Sequence, residues 1–134
     1  MESITLANAE KIRSFRDLRV WQRSVDLVAE VYSVTKRIAR KESQNLATQL
    51  QRAAVSIPAN IAEGHGRQHL GDYLHHLSIA SGSLTELETH LLLAERLGVL
   101  PGSDVQRVLQ SASDVSRMLA GLTKALLARK SLLP

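Results

Sequence analysis

Glu63, Glu86, Glu88 and His90 are the residues of this chain whose types could hold a pair of metal ions inside a helical protein. Such a site takes one Glu from each of two helices and a Glu-x-x-His pair from each of two others. The sequence contains no Glu-x-x-His, and Glu86 and His90 stand four apart. His65, His69, His75 and His76 form a second cluster, but their spacing matches no compact zinc motif. Ser81 and Ser83 lack the Gly-x-Ser-x-Gly elbow that exposes a serine nucleophile, and Gly-His-Gly-Arg at 64–67 lacks the length and the lysine of a phosphate loop. With no cysteine in the chain, thiolate catalysis and thiolate metal sites are excluded. No catalytic residue, metal ligand or cofactor is assigned, and the chain reads as non-enzymatic.

A polar stripe remains. In the stretch Arg-Ala-Ala-Val-Ser-Ile-Pro-Ala-Asn-Ile-Ala-Glu-Gly, Arg52 to Gly64, a rotation of about 100° per residue aligns Gln49, Arg52, Ser56, Asn60, Glu63 and Arg67 beside an apolar seam. A loop would not hold that register, so the helix is expected to continue through Pro58 and end at Gly64 or Gly66. Proline removes one backbone bond and crowds the carbonyl of Ala54, which predicts a kink between Ala54 and Pro58. Further along, Ser83, Glu86 and His90 form a matching stripe, and Ser78, Ser81, Gly82, Thr85 and Thr89 form a side of small residues open to close approach. Ser56, Asn60, Glu63, Ser81, Gly82, Ser83, Thr85 and Glu86 are therefore the candidate structural or assembly surface.

Helices must position these residues, because apolar side chains recur at spacings of three and four and nothing alternates with period two. The first helix is expected from about Leu18 to Arg40, with Val20, Trp21, Ser24, Val25, Leu27, Val28, Val31, Tyr32, Val34 and Ile38 on an apolar face wider than one core contact needs. The second starts near Ser43, an N-cap residue type, and buries Leu46, Leu50, Ala53, Ala54, Ile57 and Ile61. Leu70, Tyr73, Leu77, Ala80, Leu84, Leu87, Leu91 and Ala94 make the seam of the third; Val105, Val108, Ala112, Val115, Leu119, Leu122 and Leu126 make that of the fourth. Ser103 with Gln106 reads as a capping box. Short connections between long amphipathic helices predict an all-α, antiparallel up-down-up-down four-helix bundle with a kinked second helix.

At 134 residues the chain is one domain, 15–130, preceded by a segment, 1–14, expected to fray. No apolar run approaches the roughly 18 residues of a membrane span, and the N-terminus lacks the pattern of a secretory signal. A cytoplasmic protein without membrane contact is expected. The net charge of +4 permits nucleic-acid contact, whereas Phe15, Trp21, Tyr32 and Tyr73 are too few aromatics for reading bases by stacking.

The blocks FRDLRVWQRSVDLV, LATQLQRAAVSIPANIAEGHGR and LSIASGSLTELETHLLLAERLG, within Phe15 to Leu100, resemble the 23S rRNA intervening-sequence proteins, also called four-helix bundle proteins. The resemblance implies a bundle that assembles as a cyclic homopentamer, a shape shared with the accessory variability proteins of diversity-generating retroelements, which bind a reverse transcriptase and nucleic acid. His69 departs from the Ser or Thr usual at that place. Histidine caps less well, so this helix start is expected either to fray or to rely on Asp72 against the helix dipole.

The expected topology gathers Arg13, Arg16, Arg19, Arg23, Arg67, Lys124, Arg129 and Lys130 at one pole, against Asp17, Glu63 and Asp72. The opposite pole mixes Lys36, Arg37, Arg40, Lys41 and Arg96 with Glu42, Glu95 and Asp104. The basic pole is the candidate RNA surface, reading phosphates and shape with little sequence preference. The alternative is an adaptor or scaffold for a nucleic-acid enzyme such as a reverse transcriptase, without direct nucleic-acid binding.

Overall fold

A computed structural model describes residues 12–131. Four α-helices follow one another: α1 (Arg19–Thr35), α2 (Gln44–His65), α3 (Leu70–Arg96) and α4 (Gly102–Ser131), with short 3-10 turns at Phe15–Asp17 and Lys41–Ser43. Each helix packs on its chain neighbours, α1 also packs on α4, and the diagonal pairs α1/α3 and α2/α4 do not meet. The bundle is therefore square in section, with α1 and α3 at opposite corners.

Side-chain bonds fix an antiparallel register. Arg23 reaches Asp114, Ser111 donates to Glu30, and Arg37 reaches Asp104, so α4 descends as α1 rises. Across α2 and α3 the partners are Ser56 with Ser83, Asn60 with His76, and His65 with Tyr73. The core is aliphatic and matches the expected seams: Leu27, Val31, Val34, Leu50, Ile57, Ile61, Leu87, Leu91, Val105, Val108 and Val115 are fully enclosed. Leu46, Leu70 and Leu122 pack at its margin.

Three helix ends differ from expectation. The first helix stops at Thr35 instead of Arg40: the Thr35 hydroxyl donates to the Tyr32 carbonyl, and the amides of Arg37 and Ile38 turn back to Val34 and Thr35. Ile38 is still buried, because the bent chain drops it onto the core. At α2, Ser43 occupies the N-cap but its side chain makes no capping bond, since the preceding 3-10 turn leaves it in helical rather than extended conformation. The expected capping box of α4 does not form: the helix already begins at Gly102, which places Ser103 inside its first turn. His69, as expected, caps α3 only through its backbone, with Asp72 in the first turn.

The helix α2 runs unbroken through Pro58 and reaches its C-cap at Gly66. At the end of α3, Gly98 adopts φ 70°, and the amides of Gly98 and Val99 return to the carbonyls of Glu95 and Ala94, a Schellman closure that needs a residue free of a Cβ. Of the segment expected to fray, 1–11 lies outside the described residues, but Ile12 packs against the core and Ser14 caps the turn Phe15–Asp17.

Candidate nucleic-acid interface and the polar seam

The stripe on α2 and the stripe on α3 meet. Asn60 Nδ2 donates to the Ser56 carbonyl at 2.8 Å and to its Oγ at 3.1 Å, and Ser56 Oγ lies 2.8 Å from Ser83 Oγ. That donation turns Asn60 Oδ1 toward His76 Nδ1, 3.2 Å away, so this ring nitrogen must carry the hydrogen. His76 Nε2 in turn faces Glu63 at 3.9 Å, and Glu63 holds Arg67 at 2.8 Å. A continuous polar seam, Arg67–Glu63–His76–Asn60–Ser56–Ser83, thus closes the outer edge between two helices.

At Gly64 α2 and α3 approach closely: a Cβ there would lie 2.8 Å from His76 Cβ and 3.2 Å from the Tyr73 carbonyl oxygen. Beside it His65 Nδ1 approaches the Tyr73 hydroxyl at 3.3 Å, with the rings edge to face. Burial pushes the Tyr73 phenol up to about 12, partly opposed by the positive charge of Arg129. The antiparallel register brings the end of α4 and the first turn of α3 to the same pole.

The other assembly candidates divide. Ser81, Gly82, Thr85 and Glu86 are exposed on α3, with Thr85 bonded to its own helix and Glu86 facing His90 at 3.5 Å. His90 Nδ1 is buried without a hydrogen-bond partner among the described residues.

The candidate basic residues also divide. Lys124, Arg129 and Lys130 are exposed at the end of α4 and make no ion pair among the described residues. Arg16 lies over the Phe15 ring, whose edge-to-face partner is Trp21. Arg13 donates its backbone amide to Asp17, and that bond, with a second from Ser14, holds the Asp17 carboxyl below its usual range against the opposing effect of desolvation. Arg19 is exposed. Arg67 is held by Glu63, and Arg23 is drawn inward to Asp114 at 3.3 Å, with Asp26 at 3.7 Å. Arg23 therefore braces α1 against α4.

Two features are not evident from the sequence alone. His76 stands among three other histidines around the α3 start, yet it lies seven residues before Ser83 and so extends the Ser83/Glu86/His90 stripe by two turns. At the opposite pole Asp104, buried in the first turn of α4, joins Arg37 at 2.6 Å to Arg107 at 3.3 Å. Among the described residues no three His, Asp or Glu side chains come together as a metal site, and no helix is long and apolar enough to cross a membrane.

These elements define an antiparallel four-helix bundle with an interhelical polar seam and a basic end. The chain belongs to the family described as 23S rRNA-intervening sequence protein, whose model matches residues 16–121. It is similar in fold to a crystal structure of a protein of unknown function from the S23 ribosomal protein family of Bacteroides thetaiotaomicron, with a TM-score of 0.73 at 22% identity over 78% of this chain and 98% of that one. No functionally curated protein matches the sequence.

Proposed function

We propose that the protein is a non-enzymatic homo-oligomer, a cyclic pentamer in keeping with its family resemblance, that binds RNA or a ribonucleoprotein through its basic pole. The observation that carries the RNA reading is the trio Lys124, Arg129 and Lys130, exposed at the same end of the bundle as Arg13 and Arg16 with no ion pair of its own among the described residues. Repeated around a ring, that end presents a field able to draw in phosphates without reading bases. Filter binding to a structured RNA at two salt concentrations tests it. Binding that steepens at low salt supports it; no binding at low salt, or binding indifferent to salt, refutes it. Nuclease treatment before a pull-down separates this reading from a protein adaptor, whose partner, such as a reverse transcriptase, would stay bound.

Oligomerisation is supported by two unlike apolar patches. Val25 and Tyr32 of α1, with Val55 of α2, are exposed on one side, and Leu92, Leu93 and Leu97 on another, with Leu97 at 60% exposure. Because α1 and α3 occupy opposite corners, each copy can present one patch to the other patch of the next. Such head-to-tail contact closes into rings. Light scattering that gives the monomer mass at micromolar concentration would overturn it.

A further inference from the structure

The pole away from Lys130 holds a small groove of about 200 Å³ between the α1–α2 turn and the α3–α4 turn, lined by Arg37, Ile38, Ala39, Arg40, Ser43, Gly98 and Val99. Its size falls below the roughly 300–1,000 Å³ of sites for drug-sized ligands and suits a small ion. Its chemistry is one-sided. Arg37 and Arg40 are the charged residues of its lining, the latter exposed and without an ion pair among the described residues. The amides of Ala39 and Arg40 reach no backbone carbonyl among those residues. Nearby acceptors are taken: the Ile38 and Arg40 carbonyls receive the Gln44 side-chain amide at 2.6 and 3.3 Å. Asp104 is buried under Arg37, and no carboxylate lines the groove.

Ser43 adds an independent observation. It is only 8% exposed, lines this groove at the N-terminus of α2, and its side chain makes no capping bond or other hydrogen bond among the described residues. Open to the groove and without a protein partner, this hydroxyl is free to donate to an ion bound there. Here it stands among donors at the positive end of a helix dipole. We infer that this groove is an oxyanion site for a phosphate group, with Ser43, Arg40 and the Ala39 and Arg40 amides as donors and Arg37 as a second cation already steered by Asp104. The site is separate from the RNA pole and does not rest on it.

Phosphate could arrive free or as part of a nucleic-acid backbone, and one titration distinguishes the two. Inorganic phosphate is added to the isotope-labelled full chain at constant ionic strength while the amides of Ala39, Arg40, Ser43 and Gly98 are followed by NMR. Saturable shifts are expected there. Arg40→Gln should abolish them and Ser43→Ala should weaken binding about tenfold, as loss of a hydrogen bond to a charged group does. Lys130→Gln should leave them unchanged. Neither Ser43 nor Arg40 makes a side-chain bond among the described residues, so both variants are expected to stay folded. A short oligonucleotide without terminal phosphate that shifts the same amides assigns the source to the diester backbone; saturation by inorganic phosphate alone assigns it to a free phosphate. Shifts that are absent, that chloride reproduces, or that survive both substitutions overturn the site.

Discussion

A methyl group at position 64 has nowhere to go, since its nearest neighbours would be His76 Cβ at 2.8 Å and Tyr73 Cδ1 at 3.0 Å. Alanine gains about 1 kcal/mol of helix propensity over glycine, but here it must push α2 and α3 apart, at a typical cost of about 1–3 kcal/mol for overpacking. Gly64→Ala is therefore expected to lower the urea midpoint, whereas Gly82→Ala, where an added Cβ meets nothing within 4 Å, should raise it. Tyr73 gives a pH prediction. Its phenol ionises near 10 when unfolded and at about 12 when folded, so the folded state holds its proton more tightly. Stability should fall as pH rises from about 10 toward 12, and Tyr73→Phe should flatten that decline in denaturation curves. The polar stripe is legible as a stripe because Ser56, Asn60 and Glu63 keep helical register. Its partners are not, because which helix lies opposite depends on packing, and His76 is hidden among neighbours of the same type.

The heptad seams of α3 and α4 can be read in full, since an unbroken repeat of apolar side chains states both the element and its buried face. The ends are harder: Thr35 and Ser103 each sit in sequence that is locally compatible with more or less helix, and tertiary demands decide. Ile38 needs the core, and Asp104 needs Arg37 and Arg107. Removing that carboxylate with Asp104→Ala should cost about 1–3 kcal/mol, the usual penalty of breaking a buried charged hydrogen-bond node, seen as a lower melting temperature with the helical CD signal intact. Pro58 works the other way. An interior proline costs a helix about 3 kcal/mol, offset in part by the stiffer unfolded chain, worth about 0.4–1 kcal/mol. Pro58→Ala should accordingly stabilise the isolated bundle by about 2–2.5 kcal/mol; an unchanged or lower melting temperature would mean that the ring form gives Pro58 a contact of its own.

For the molecule as a whole, the two ends hold some of their cations differently. One end leaves Lys124, Arg129 and Lys130 exposed, while the other ties Arg37 and Arg107 to a single buried aspartate. Replacing the exposed trio by glutamine should reduce the slope of log K against log salt by about 0.7–0.9 for each phosphate that is no longer neutralised, with no change in fold by circular dichroism. A slope that stays the same would move the RNA surface elsewhere on the bundle. Net charge alone shows neither end, since a sum of +4 says nothing of where the unpaired cations lie.

The contact between Phe15 and Trp21 has a practical side. Trp21 is the only indole in the chain, its ring 5.1 Å from Phe15, which lies in turn beneath the Arg16 guanidinium at 5.5 Å. The protein thus carries its own optical probe two side chains from a candidate phosphate contact. A ligand that pulls Arg16 off the ring will alter the polarity around that indole and shift its emission, reporting occupancy of the basic end without any dye.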